Sequence, residues 1–279
     1  MAKVKLPPVL GGELGIDGSL TPAAAIFTES MRRGFLKVFC ATAQPAVSCP
    51  AYTGVMTDLD TYACSPHRLR ASIRTVRRVL PRAACGLPAV LLVDPMVAAW
   101  VRGHGVTVYA GDAHGLGLVR AAGVAPEQVV WQCGPSAIGI SGALSCGVTR
   151  FVASAPGQLN TLADLAPGVA SVHLDHGCVV AGQPSEAIGV IGMHCCVDTS
   201  APMRWGGAAE LLLGRIAALR RLGVDVTRIS LVGGPADAWL RADKHELTAL
   251  ASAVDDAIDD GCARWRLPRP GLTLGPSRP

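Results

Sequence analysis

Short apolar runs recur along this chain at a steady interval, and stretches with helical periodicity separate most of them. Strands that alternate with helices form parallel sheets, and a continuous apolar run is typical of a strand buried on both faces. The eight apolar runs occupy residues 89–93, 106–110, 129–132, 150–154, 170–175, 188–194, 229–233 and 272–275. The helical patterns occupy residues 96–102, 116–122, 138–146, 159–165, 208–222 and 244–262.

Eight strands in this arrangement predict an α/β fold, a closed (βα)8 barrel of the TIM type, with a doubly wound open sheet as the alternative. The interval at residues 175–188 departs from the pattern, because it leaves room for a loop but hardly for a helix. In such a barrel we expect the functional residues where the strands end, at the carboxyl-terminal mouth.

The first part of the chain differs from this regular region. Residues 1–57 have weak periodicity and frequent proline and glycine, so we predict an irregular N-terminal arm before a barrel domain at 58–279. Ser65 followed by Pro66 is typical of a helix start, a capping residue and then proline in the first turn. The predicted buried face of this helix repeats at helical spacing and consists of Leu69, Ile73, Val76 and Leu80.

Composition and charge exclude several classes of protein. Half of the 279 residues are hydrophobic and only 16% are charged, which excludes a disordered chain. The net charge is +4 without any run of lysine and arginine, so there is no electrostatic signal for nucleic-acid binding. The longest uncharged stretch, residues 129–149, contains glycine, proline and polar residues and is predicted as a strand, turn and helix rather than a membrane span.

The ten cysteines are spread along a chain too long for a disulfide scaffold, and the first ten residues lack the apolar core of a signal peptide. We therefore predict a soluble, cytoplasmic protein with reduced thiols, without a membrane or nucleic-acid partner.

Several local motifs occur in an order and spacing that resemble one known family. The motifs are Gly-Val-Ala-Pro-Glu-Gln-Val-Val at 123–130, Cys-Gly-Val at 146–148, Gly-Met-His-Cys-Cys-Val at 192–197, Ser-Leu-Val-Gly-Gly at 230–234 and Leu-Gly-Pro-Ser-Arg at 274–278. Together they resemble the pyridoxal-phosphate (PLP) binding barrel of diaminopimelate and ornithine decarboxylases, the fold type III family that includes alanine racemase. Each motif alone is weak, and the specificity comes from their shared order.

The resemblance implies a cofactor lysine at the end of the first strand, but no lysine lies between Lys37 and Lys244. A Schiff base needs a primary amine, and Lys37 is a poor substitute because it precedes the first predicted helix. The resemblance also implies an acid that keeps the pyridinium nitrogen protonated, at the position of Gly275, and a ring-stacking histidine at the position of Cys196. The family's reaction is therefore predicted to be lost.

The phosphate side of the resemblance is better retained. It implies that Gly233 and Gly234 hold phosphate with backbone N–H groups and that Arg278 is the phosphate-side arginine. PLP binding is thus possible, but non-covalent at best. The family's second, β-rich domain has no counterpart after the last predicted strand, and we expect its loss to leave barrel surface for a partner.

Another constellation arises from strand alternation. His173 and Asp175 share one face of a strand, and His194 and Cys196 share one face of the next. If both faces point inward, these four side chains are a possible zinc or iron site; the alternative is a polar remnant of a cofactor pocket. Cys196 beside His194 is also a candidate catalytic thiol, since a neighbouring base lowers the pKa of a cysteine.

Two hypotheses follow. In the first, the chain is a non-catalytic or repurposed subunit that binds a small amino-acid-like or phosphorylated ligand, as a homo-oligomer or with an intact homologue. In the second, it is an enzyme at the same mouth. It would be either a PLP-dependent decarboxylase or racemase helped by a partner, or an enzyme that depends on a metal or a thiol.

Overall fold

Eight parallel strands close into a barrel in sequence order, as predicted. The computed structural model describes residues 65–178, 187–234 and 236–277. The barrel closes where β8 pairs with β1, through Thr273 beside Ala84 and Leu274 beside Cys85, which excludes the open sheet. The strands are β1 Ala84–Pro88, β2 Thr107–Ala110, β3 Val129–Gln132, β4 Arg150–Ala153, β5 Ser171–Asp175, β6 Gly189–Val197, β7 Arg228–Gly233 and β8 Gly271–Gly275.

Helices follow most strands and cover the outside of the barrel. Asp94, Ser136 and Asp243 each precede a helix, and their side-chain oxygens accept backbone N–H groups of its first turn. The helices are α1 Pro66–Val79, α2 Pro95–His104, α3 Ala113–Ala121, α4 Ala137–Ser145, α5 Pro156–Leu165, α6 Pro202–Arg221, α7 Asp237–Arg241 and α8 Lys244–Trp265.

The helix α1 confirms the pattern seen in the sequence. All four residues of its predicted apolar face are buried, and its arginines are exposed. Ser65 occupies the N-cap position before Pro66, but its side chain makes no capping hydrogen bond.

The first strand lies one segment earlier than predicted. Residues 89–93 form a 3-10 helix, and the strand is Ala84–Pro88. A five-residue apolar run does not distinguish a buried strand from a buried helical turn. Gly86 and Pro88 are residues typical of turns, so the true strand carries a weak sequence signal.

Two other predictions meet residues that the structure leaves undescribed. The N-terminal arm at 1–57 lies outside the described residues, so its boundary stays a prediction. In the interval between β5 and β6, residues 179–186 are likewise outside them. The two strands pair directly with a bulge between Val172 and His173. Among the described helices, none combines the length and apolar character needed to cross a bilayer.

The two faces of the strands differ in chemistry. Residues that face the helices are apolar and fully buried, such as Phe151, Leu231 and Leu274. Inside the barrel a separate small apolar group consists of Tyr109, Val130, Val152 and Val232. Most other inward residues are polar, so the interior is the place to look for a site.

Candidate functional site

Three buried polar side chains from different strands form a hydrogen-bonded chain inside the barrel. The Tyr109 hydroxyl on β2 lies 2.7 Å from the Ser230 hydroxyl on β7. Nδ1 of His194 on β6 lies 3.1 Å from the same Ser230 oxygen. The pairing of β6 with β7 places His194 directly beside Ser230. We call this group the Tyr109–Ser230–His194 chain.

Burial keeps the titratable members of this chain uncharged at neutral pH. Burial lowers the pKa of His194 to about 4, against an opposing effect of Asp175. Burial also raises the pKa of Tyr109 to about 12, although its hydrogen bond to Ser230 opposes the shift. A general acid or base works best with a pKa near the working pH, so the chain is suited to positioning rather than proton transfer.

The Tyr109 ring fills the space in front of the first strand. A Cβ atom at Gly86 would lie 2.3 Å from Cε2 of Tyr109, well inside van der Waals contact. Tyr109 is itself buried and held by Ser230, so the ring has little room to move aside. The interior volume that a longer side chain on β1 would use is therefore occupied.

The position where the resemblance implies an acid is closed in the same way. A Cβ atom at Gly275 would lie 2.0 Å from the carbonyl oxygen of Gly86. The ends of β8 and β1 thus approach so closely that only glycine fits at 275. Lys244, the one lysine among the described residues, is exposed at the start of α8 and not on a strand.

The predicted phosphate cradle is used for packing. A Cβ atom at Gly233 would lie 2.0 Å from the Val197 carbonyl oxygen, because β6 and β7 are tightly apposed there. The Gly234 N–H donates to that same oxygen at 2.8 Å, and the residue has a φ of +62°. This amide is thus already satisfied within the protein. Arg278, the third predicted contact, lies outside the described residues.

The residues that are described therefore do not fit covalently held PLP. The Tyr109 ring fills the space in front of β1, and no lysine lies on that strand. Glycine stands at position 275, where the family pattern has an acid. The Gly234 N–H, which the pattern assigns to phosphate, donates to the Val197 carbonyl instead.

The four residues predicted for a metal lie on the neighbouring strands β5 and β6. In the register of these two strands Asp175 lies directly beside His194. His173 is buried, and its pKa falls to about 3, chiefly through burial and further through its electrostatic interactions with His194, Arg150 and Arg228. Cys196 is a half-buried cysteine near the end of β6. Within the described part of the chain, no group of three or more His, Cys, Asp or Glu side chains could hold a metal ion.

Asp175 interacts instead with its neighbour in sequence. Its Oδ1 lies 3.3 Å from Nδ1 of His176 and accepts the Gly177 N–H at 2.9 Å. The contact with Asp175, and to a lesser degree the one with Cys195, raises the pKa of His176 to about 10. An Asp175–His176 ion pair is therefore expected at neutral pH.

The sequence interpretation missed Tyr109, Ser230 and two interior arginines, Arg150 and Arg228. Each has a signal in hindsight: it is a polar residue inside a short apolar strand, on the inward side of the alternation. Strand alternation grouped His173 with Asp175 and His194 with Cys196, but whether these faces point inward was left as a condition.

Comparison with known proteins agrees with this fold. The sequence matches no protein-family model and no curated protein. Among solved structures, lysine decarboxylase from Selenomonas ruminantium is similar at 20% identity and a TM-score of 0.59, over 76% of this chain and 60% of that one. Diaminopimelate decarboxylase from M. jannaschii is similar at 13% identity and a TM-score of 0.62, over 76% of this chain and 59% of that one.

Two further structures add detail to the comparison. A lysine/ornithine decarboxylase from Vibrio vulnificus, complexed with putrescine, is similar at 14% identity and a TM-score of 0.60, over 76% of this chain and 61% of that one. Another similar structure, at 19% identity and a TM-score of 0.59, is a complex with PLP and cadaverine. The chain spans about three-fifths of the length of these structures. The likeness confirms the predicted fold, a closed eight-stranded parallel barrel similar to those of these decarboxylases.

Proposed function

We propose that this barrel has lost the PLP-dependent decarboxylation of its structural neighbours and serves as a non-catalytic or repurposed small-molecule-binding subunit. The observation that carries the proposal is the Tyr109 ring packed 2.3 Å from where a Gly86 side chain would begin. A lysine on β1 that points inward would meet this ring. The sequence provides no lysine on any barrel strand.

The closed approach of β8 to β1 supports the same proposal. PLP works as an electron sink only when an acidic partner keeps its ring nitrogen protonated. The backbone at Gly275 leaves no room for such a side chain. Two requirements of the chemistry are thus blocked by packing at neighbouring strands, which makes a single compensating change insufficient.

The proposal extends to the ligand, the partner and the location of the protein. Polar interior residues favour a small amino-acid-like or phosphorylated ligand. We also propose that the chain works as a homo-oligomer or with an intact homologue, in the cytoplasm.

A second candidate function is thiol chemistry at Cys196. What favours it is that this cysteine is only half-buried and lies near the carboxyl end of β6, where barrels of this type carry their active sites. The neighbouring His194 is a weak activator, because burial lowers its pKa to about 4 and its Nδ1 already contacts Ser230.

The test is borohydride reduction of the purified full chain with PLP, followed by peptide mass spectrometry. We expect no near-ultraviolet Schiff-base band and no stoichiometric adduct, only scattered labelling of exposed amines such as Lys244. Lys37→Arg and Lys244→Arg serve as matched variants that keep the charge. One adduct per chain, abolished by one of these two substitutions, would overturn the proposal.

A further inference from the structure

A polar cavity lies inside the barrel at the end where the strands begin. Four strands contribute their first residue to its lining: Thr107 on β2, Arg150 on β4, Ser171 on β5 and Arg228 on β7. The cavity has a volume of about 320 Å³. Tyr109 and Ser230 also line it, so it lies against the Tyr109–Ser230–His194 chain.

The lining of this cavity carries two guanidinium groups and, among its described residues, no carboxylate. Nε of Arg150 is buried and has no hydrogen-bond partner among the described residues. Burial lowers the pKa of Arg150, and the charge of Arg228 lowers it further, which indicates that the two cations repel one another. An unpaired cation in such a place is costly unless an anion accompanies it.

A third group points to a missing partner. His173 is only 8% exposed and lines the same cavity. Its Nδ1 is buried without a hydrogen-bond partner among the described residues. Buried polar atoms in native proteins are almost always paired, so these two nitrogens, on residues that line one cavity, are available to a polar occupant of that cavity.

The size and the donors of the cavity define the ligand class. Small-molecule sites begin at about 300 Å³, and a water molecule takes about 30 Å³, so the space exceeds what one bare oxyanion needs. Guanidinium groups match the planar, bidentate geometry of phosphate and carboxylate oxygens. Thr107, Ser171 and Thr273 add hydroxyl donors around the same space.

We propose that this cavity binds a small dianion, a molecule with phosphate or carboxylate groups, between Arg150 and Arg228. The inference rests on the proposed function, since it names the ligand class of a barrel that binds a small molecule. Arg228 is exposed at the start of β7, so the ligand enters from the amino-terminal end of the strands. This end is opposite the mouth at which barrel enzymes carry out their chemistry.

Titration calorimetry of the full chain with inorganic phosphate, pyrophosphate and succinate, at constant ionic strength set with chloride, tests the inference. We expect saturable binding of at least one of these anions with a stoichiometry near one per chain. Arg150→Gln and Arg228→Gln should each weaken it about tenfold or more, since a charge-assisted hydrogen bond is lost. Arg74→Gln, on the exposed face of α1, is the matched control and should leave the affinity unchanged.

The comparison of the anions separates the two sources of charge. Preference for phosphate or pyrophosphate assigns a phosphorylated ligand, and preference for succinate assigns a dicarboxylate. Binding of none of the three, or equal weakening in Arg74→Gln and Arg228→Gln, would overturn the inference. Neither result depends on PLP. A failure to bind these anions would therefore overturn the anion site without affecting the borohydride test of the proposed function.

Folding of the variants is checked by thermal unfolding without added anion. Arg150 has no carboxylate partner among the described residues, so its replacement by glutamine should not lower the unfolding midpoint at low salt. If Arg150→Gln fails to fold, Arg228→Gln decides the question, because the Arg228 side chain is exposed at the start of β7.

Discussion

His194 and His173 are buried as neutral imidazoles, with pKa values lowered to about 4 and about 3. In both cases burial is the main cause, because a charged ring would lose its hydration inside the barrel. Free histidine side chains in an unfolded chain titrate near 6.5. The two histidines therefore link the stability of the fold to pH.

We predict that the free energy of unfolding falls as the pH drops from about 6.5 towards 4. Over this window the unfolded chain binds protons at His173 and His194 that the folded chain excludes. The slope is about 1.4 kcal/mol per pH unit for each histidine. Urea unfolding at several pH values measures this slope. His194→Asn should remove the contribution of one histidine, about 1.4 kcal/mol per pH unit.

The control for this prediction is His114→Asn, because His114 is exposed on the outer helix α3. Its replacement should leave the slope between pH 4 and 6.5 as it is in the parent protein. Above pH 6.5 the ion pair of His176 with Asp175 acts in the opposite sense, since the folded state then holds the extra proton. A stability maximum near pH 6.5 is expected, and a flat profile below it would contradict the assignment of buried neutral histidines.

Sequence reasoning at the residue scale succeeded where a periodic rule applied. The two-residue period of a strand put His173 and Asp175 on one face, and His194 and Cys196 on one face of the next strand, without knowledge of the fold. The same period gave no reason to connect Ser230 with Tyr109. The two residues are 121 positions apart in the sequence and meet only when the barrel closes. Contacts across a closed barrel depend on strand order and stagger, which local patterns do not contain.

At the scale of elements, β1 and β2 show why the first strand escaped the sequence prediction. Gly86 and Pro88 interrupt the apolar pattern, although both are paired in register with β2. Gly86 is tolerated in a strand because the Tyr109 ring from β2 supplies the packing that its missing side chain would give. The other seven strands carry a local apolar signal and were predicted within a few residues of their observed bounds.

We predict that Gly86→Ala costs about 1–3 kcal/mol of stability, the usual range for overpacking a filled site. The added methyl group would push against Cε2 of Tyr109 and strain its hydrogen bond to Ser230. In a Tyr109→Ala background the same substitution should cost little, because the ring is gone. A double-mutant cycle in urea measures this coupling between the two positions.

Gly103→Ala provides the matched control, since a Cβ atom there meets nothing within 4 Å. Gly103 lies inside α2, where alanine is favoured over glycine by about 0.5–1 kcal/mol. The control should therefore be stabilised while Gly86→Ala is destabilised. Equal effects at the two positions would show that the Tyr109 ring does not limit the space at β1.

At the scale of the whole barrel, its two ends have different chemistry. The end where strands begin holds the arginine-lined cavity. The end where strands finish carries apolar side chains on its rim: Met96, Ile138 and Met203 are 70%, 83% and 86% exposed. Each is the second residue of the helix that follows β1, β3 or β6, so all three lie near the mouth.

We predict that this rim mediates self-association of the chain, because a contact with a second copy would bury these exposed apolar side chains. Light scattering after gel filtration should give a multiple of 28.7 kDa. Ile138→Glu and Met203→Glu should each shift the protein towards the monomer. Both variants should stay folded, because an acidic residue in the first turn of a helix interacts favourably with the helix dipole.

The matched control is Leu165→Lys, which places a basic residue at the last position of α5, away from the mouth. This variant should leave the mass unchanged. A parent protein that runs as a monomer at micromolar concentration would contradict self-association through the rim.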